Sequence, residues 1–209
     1  MKFTIKKGNF DHYLSQYTMK LVFATHNQNK LTEVAKMFPN DIELLSLSQI
    51  DFNKDIPETE LTLKGNAQLK VDAIRETGVL NCFSDDSGLF VNALNGEPGV
   101  FSARYSGKRH SDTNNDLLLR NMQNIKSRSA YYKSVFCLFF RGQHYFFEGR
   151  LKGKIAHEAK GSNGFGYDPI FVPDGYTSTL GELSEVKKLE LSHRTKALNK
   201  MIEFIALNG

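Results

Sequence analysis

Four short stretches of this sequence carry the residue types that hold phosphates, divalent metals or a reactive water. The first is Thr25-His26-Asn27-Gln28-Asn29-Lys30, where an apolar run gives way to a helical pattern. A strand-to-helix turn aims free backbone N–H groups and a helix N-terminus at one point, and both favour an anion. Thr25 and Asn27 add side-chain hydrogen-bonding groups, and Lys30 adds a mobile positive charge. A plain N-cap beside an exposed lysine fits the same residues. The second stretch, Asp85-Asp86-Ser87-Gly88, sets two adjacent carboxylates and a glycine at the end of a strand-like run, which predicts a turn. Successive strand residues point to opposite faces, so one acid can enter a site to bind Mg²⁺ or polarise water while the other braces the turn. Mg²⁺ takes oxygen ligands, typically one or two carboxylates together with substrate phosphates. An Asp-rich surface turn is the alternative.

The third stretch is Gly161-Ser162-Asn163-Gly164-Phe165-Gly166-Tyr167-Asp168-Pro169. Its glycines let backbone approach a ligand closely. Phe165 and Tyr167 offer aromatic faces and Asp168 offers acceptors, the means of holding a nucleobase by stacking and edge hydrogen bonds. A flexible hairpin is the plainer reading. No Gly-Lys-Ser/Thr follows and the G-x-G-x-x-G spacing fails, so neither a Walker loop nor a dinucleotide fingerprint is present. The fourth stretch is Lys187-Lys188 followed by Ser192-His193-Arg194. With Ser192 as N-cap, His193 and Arg194 oppose the helix dipole unless an anion is near. That conflict between local rule and sequence points to a site, or else to a solvated basic turn. No H-x-x-x-H pair, H-E-x-x-H motif or G-x-S-x-G elbow occurs, which removes the zinc and serine-nucleophile readings.

Strand-like and helix-like segments alternate along the chain and predict a layered α/β architecture. Leu21 to Ala24 is a short apolar run that reads as a buried strand. Leu31, Val34, Ala35 and Phe38 recur at helical spacing up to Pro39, and Ile42 to Leu47 is a second strand. Leu63, Ala67, Val71 and Ile74 mark a helix stopped by Gly78. Cys82 to Asp85 reads as a strand that resumes at Leu89-Phe90-Val91 after a turn. Asp112 is expected to cap a helix lined by Leu118, Met122 and Ile125. The runs 134–140 and 144–149 flank Arg141-Gly142-Gln143 and predict an antiparallel hairpin, its aromatics in the core. Ile170-Phe171-Val172 is one more short strand, and Leu198, Ile202 and Ile205 line a final helix.

Composition bounds the rest. The chain has 209 residues, 40% hydrophobic and 24% charged, which excludes collagenous, disordered and disulfide-scaffold classes. A net charge of +4 suits a small anionic ligand better than a nucleic-acid polymer. Residues 1–18 are polar and without a period, and are expected to be a leader or poorly ordered extension, or else an added edge strand or dimer arm. Removing their Lys2, Lys6, Lys7 and Asp11 leaves a net charge of +2. The rest, 19–209, is expected to be a single catalytic domain. Cys82 and Cys137 are isolated in apolar runs and read as core hydrophobes. No secretory signal or span-length apolar run occurs, so a cytoplasmic enzyme is expected.

Taken together and in this order, the stretches resemble the inosine triphosphate pyrophosphatase family, enzymes that remove deaminated purine nucleotides. The family's T-x-N-x-x-K opening matches Thr25, Asn27 and Lys30, with His26 where glycine is common. Pro57-Glu58-Thr59 followed by Asn66-Ala67 and Lys70 is similar to its E-T…E-N-A-x-x-K stretch, with Gly65 replacing the usual acid. D-D-S-G-L is Asp85 to Leu89. Pro98-Gly99-Val100 with Ser102-Ala103-Arg104-Tyr105 resembles P-G-[IV]-x-S-A-R-Y. The G-x-x-G-F-G-Y-D-P-x-F box runs from Gly161 to Phe171, and S-H-R is Ser192 to Arg194. The likeness runs from Met19 to about Ile205.

The resemblance implies an elongated, two-lobed α/β fold with a long twisted mixed β-sheet, flanking helices and a central cleft, usually in a homodimer. It implies Mg²⁺-dependent hydrolysis of ITP, dITP or XTP to the monophosphate and pyrophosphate. Asp86 is then expected to activate water and, with Glu58, to hold the metal. Thr25 to Lys30, Lys70 and Ser87 would bind the phosphates. Phe165, Gly166, Tyr167, Asp168, Lys188, His193 and Arg194 would bind the base. Two other readings remain: a Maf-like nucleotide pyrophosphatase of different base preference, and a non-enzymatic nucleotide-binding module. Paired acids in a groove speak against the last, because carboxylates repel phosphate unless a cation intervenes.

Overall fold

The computed structural model describes residues 19–209, so the expected leader 1–18 lies outside the described residues. The apolar run after Met19 becomes β1 (Met19–Phe23), which takes an interior place between β2 (Ile42–Ser46) and β3 (Cys82–Val91). Both neighbours run parallel to it. The connections are helical crossovers: α1 (Gln28–Ala35) joins β1 to β2 and α2 (Leu63–Arg75) lies between β2 and β3, capped by Asn27 and Thr62 respectively. From β3 onward the sheet turns antiparallel through β4 (Ser129–Phe140), β5 (Gln143–Ile155) and β6 (Phe171–Pro173). The result is a six-stranded mixed sheet in the order β2-β1-β3-β4-β5-β6. The hairpin is longer than its apolar runs suggest. Its turn is the pair Arg141-Gly142, both at positive φ (49° and 84°), the backbone that suits a two-residue hairpin.

Strand alternation divides β3 between two cores. Phe83 packs with Phe23, Val34, Phe136 and Ala197 on the face covered by α1 and by α5 (His193–Asn208). Cys82 packs with Ala67, Val71, Ile74 and Cys137 on the face covered by α2. Both cysteines are buried and unpaired. Farther along, Leu89 joins Leu118, Met122, Tyr132 and Phe171 in a third cluster beneath α3 (Ser111–Asn121).

Two expectations need correction, and one element was not foreseen. β3 runs unbroken from Cys82 to Val91, with no turn at Gly88. Gly88 is needed for close approach instead: a Cβ there would lie 2.2 Å from the Gly99 carbonyl oxygen of the 3₁₀ turn Gly99–Arg104. Asp112 does not cap α3; the helix starts two residues earlier than that cap would set, after His110, and Asp112 sits in its first turn. Finally, the sequence reading assigned no element to Lys188, which lies on a short helix α4 (Glu185–Leu191) capped by Ser184.

Candidate active site

The alternation that splits the cores also splits the two acids. Asp85 points with Phe83 toward α1 and α5, and Asp86 points with Ser84 toward α2. On the α2 side, Asn66 and Lys70 are one helical turn apart and both meet Asp86. Asn66 Nδ2 donates to its Oδ2 at 3.1 Å, and Lys70 Nζ lies 3.5 Å from its Oδ1. Lys70 also lies 2.6 Å from Glu58 Oε1, so one ammonium bridges two carboxylates that come from segments 28 residues apart in number. Arg104 holds the other Glu58 oxygen at 3.2 Å. Burial pushes the Asp86 carboxyl above its ordinary range despite the opposing fields of Lys70 and Lys30, and Glu58 and Asp85 add to the rise. At Glu58 burial also acts upward, yet Lys70, Lys30 and Arg109 together hold the group below its usual value.

On the opposite face Asp85 is fully buried. Lys30 Nζ is 3.0 Å from its Oδ1 and Arg194 Nε is 3.3 Å from its Oδ2, while Ser87 Oγ donates to Oδ2 at 2.8 Å. Burial alone would raise this carboxyl, but Lys30, Arg194 and Lys70 together hold it well below the ordinary range. Asp85 thus braces no turn; it is the counter-charge for two cations. Arg194 is also paired with Glu33 of α1, and its guanidinium lies over the Phe165 ring at 5.7 Å from the centroid. The Arg194 cation at the start of α5 therefore does meet anions, supplied by the protein itself. Ser192 caps the helix by accepting from the Arg194 and Thr195 N–H groups.

Farther along the same cleft, Lys188 Nζ lies 2.5 Å from Asp168 Oδ2, and Phe165 N–H donates to that oxygen at 3.2 Å. Both charged groups crowd the backbone of Gly164, where a Cβ would lie within 2.1 Å of each. Burial lifts the Asp168 carboxyl, opposed by Lys188. His193 stacks on Tyr132 with ring centroids 4.8 Å apart, and burial, reinforced by Arg194, holds the imidazole well below its ordinary pKa.

Most of these groups, though not Asn66, Asp85 or Arg104, line one cavity of about 830 Å³, large enough for a nucleotide. Every expected site residue lines it except Gln28, the first residue of α1. Tyr167 reaches the wall but offers no open aromatic face: it is 4% exposed, and its hydroxyl donates to the Ser102 carbonyl. Sequence reasoning missed the roles of Asn66, Glu33, Arg104, Tyr132 and Arg109. Asn66 was within reach, since it shares a helix face with Lys70. Arg109 lines the cavity, and among the described residues it has no carboxylate within ion-pair distance.

Residues 21–204 match the Ham1 family, almost the whole described chain. The chain belongs to the Ham1 family. It is 46% identical to the dITP/XTP pyrophosphatase of Flavobacterium johnsoniae over 188 residues, covering 90% of this chain and 98% of that one. The protein of the same name from Porphyromonas gingivalis is 42% identical, with 89% and 97% covered. Among solved structures, the Ham1 protein of Staphylococcus aureus superposes with a TM-score of 0.84 at 35% identity, covering 91% of this chain and all of its own. The Ham1 architecture of a mixed sheet flanked by helices is thus the one expected from the sequence.

Proposed function

We propose that this Ham1 protein hydrolyses the non-standard purine nucleoside triphosphates ITP, dITP and XTP to the monophosphate and pyrophosphate, with Mg²⁺. The observation that carries the reading is a single cleft with two chemically distinct ends. At one end Glu58 and Asp86 converge beside Lys30 and Lys70; at the other Phe165, Asp168, Lys188, His193 and Arg194 surround a space fit for a base. The dITP/XTP pyrophosphatase of Flavobacterium johnsoniae, 46% identical over 188 residues, supports the same substrate class.

Glu58 and Asp86 suit a divalent cation, because the Lys70 ammonium already lies within 3.5 Å of both and shows that they aim at a common positive charge. Two carboxylates plus phosphate oxygens is an ordinary Mg²⁺ donor set. When bound there, the ion would offset charge on the triphosphate oxygens. Asp86 orients the attacking water and takes its proton, a role that a carboxyl raised by burial fits. Lys30, Lys70, Ser87 and the turn of Thr25, His26, Asn27 and Asn29 grip the phosphate chain. Phe165 and Gly166 flank the base, and Asp168, Lys188, His193 and Arg194 meet its polar edge. A donor aimed at the 6-oxo group of hypoxanthine or xanthine would face the amino group of adenine, and a buried donor left facing a donor costs about 1–3 kcal/mol.

Incubation with ITP, dITP, XTP, dUTP, ATP and GTP plus Mg²⁺ tests this reading. Pyrophosphate from the first three alone is the expected product, and chelating the metal should reduce it to background. Orthophosphate would instead mean attack at the γ-phosphate, turnover of dUTP would favour a different base preference, and no turnover would favour a binding module. The resemblance further supports a catalytic unit spanning 19–209 that works as a cytoplasmic homodimer; for the full 209-residue chain the expected mass in light scattering is twice 23.7 kDa. No helix among the described residues is long and apolar enough to cross a membrane.

A further inference from the structure

Asp85 does not line the cleft, yet it touches a cation from each end of it. Lys30 belongs to the phosphate end and Arg194 to the base end, and their side chains are 13% and 4% exposed. The carboxylate divides its oxygens between them: Oδ1 faces Lys30 at 3.0 Å, and Oδ2 faces Arg194 at 3.3 Å with Ser87 at 2.8 Å and Ser134 at 3.4 Å. We propose that Asp85 is a positioning residue that couples the two halves of the cleft, so that a ligand settled at one end sets the cation of the other.

The physical argument concerns shared charge. Lys30 and Arg194 are like charges in a buried setting, and Asp85 contacts both of them, whereas Glu33 pairs with Arg194 alone. Phosphate oxygens that draw on Lys30 leave Asp85 freer to hold Arg194, whose guanidinium then stays fixed over Phe165. A base that immobilises Arg194 in turn leaves Lys30 held in place for phosphate. Because Asp85 touches neither ligand, it acts only through these two side chains.

This inference rests on the triphosphate reading above, and its test keeps the two apart. Affinity for inorganic tripolyphosphate is measured with Mg²⁺, alone and with saturating inosine. Inosine is uncharged, so direct electrostatic coupling between the two ligands is negligible. Wild-type protein should bind tripolyphosphate about fivefold or more tightly with inosine present, the low end of ordinary site-to-site coupling. In Asp85→Asn that ratio should fall to about one. Weaker binding of both ligands with the ratio preserved would mean a merely structural role and would overturn the proposal. So would an uncoupled wild type that still hydrolyses ITP, and this result would leave the triphosphate reading standing. A wild type that neither bound tripolyphosphate nor hydrolysed ITP would overturn both. If Asp85→Asn does not fold, Lys30→Met decides: it leaves the Asp85–Arg194 contact in place and should erase the coupling, whereas coupling retained in that variant refutes a route through Asp85.

Discussion

Asp86→Asn should lower the rate of ITP hydrolysis by about a thousandfold or more while leaving the fold nearly as stable. The substitution removes the proton acceptor, an effect of order 10²–10⁴ on its own, and it also removes half of the carboxylate pair proposed to hold the metal. The structural cost is small for a specific reason. Lys70 keeps Glu58 at 2.6 Å and the Asp85 carbonyl at 3.0 Å, so no buried charge is stranded. An Asn side chain can still accept from Asn66 or from the Ser87 N–H, which Asp86 now engages at 3.1 and 3.0 Å. Steady-state rates with ITP beside thermal unfolding of the same samples would check both halves. Turnover within tenfold of wild type would remove Asp86 from the chemistry.

The largest effect on stability is expected from a residue with no side chain. At Gly149 of β5 a Cβ would lie 2.0 Å from the His193 carbonyl oxygen and 2.7 Å from the Ala197 N–H nitrogen. Both are helix backbone atoms, so relief requires α5 to move as a body away from the sheet. Overpacking of this kind costs about 3 kcal/mol, or roughly 10 °C in Tm for a chain of this size. Gly149→Ala should therefore unfold early in a thermal scan. It should also raise KM for ITP, because the same helix start carries His193 and Arg194. An unchanged Tm would show that α5 is not tied to β5 at this point.

The sequence made the site legible to an unequal degree. Phosphate- and base-binding stretches were legible because each is local: Thr25 to Lys30 is a strand-to-helix turn, and 161–169 is a glycine-rich loop, so residue type and spacing already state what each can hold. Asn66 was within reach through its helical spacing from Lys70. Glu33 and Arg104 were not, since their partners Arg194 and Glu58 lie 161 and 46 residues away in the chain. Gly88 was misread because glycine serves turns and close approaches alike, and only the neighbouring backbone at Gly99 separates the two uses. Asp112 was misread because an acid is as favourable inside the first turn of a helix as at its cap.

The amino-acid sequence by itself determined the alternation of strands and helices, a hairpin turn within Arg141-Gly142-Gln143, the capping of α5 by Ser192 and the chemical type of each binding stretch. All of these follow from interactions within a few residues. It also determined that Asp85 and Asp86 face opposite ways, since a strand has a period of two. Only the tertiary structure decided what stands on each face. The sheet order sets α2 against one face of β3, so that Lys70 bridges Asp86 to Glu58, and sets α1 and α5 against the other, so that Lys30 and Arg194 share Asp85. The division of labour between two adjacent aspartates is therefore a property of packing, because an ion pair in a buried site depends on which distant helix supplies the partner.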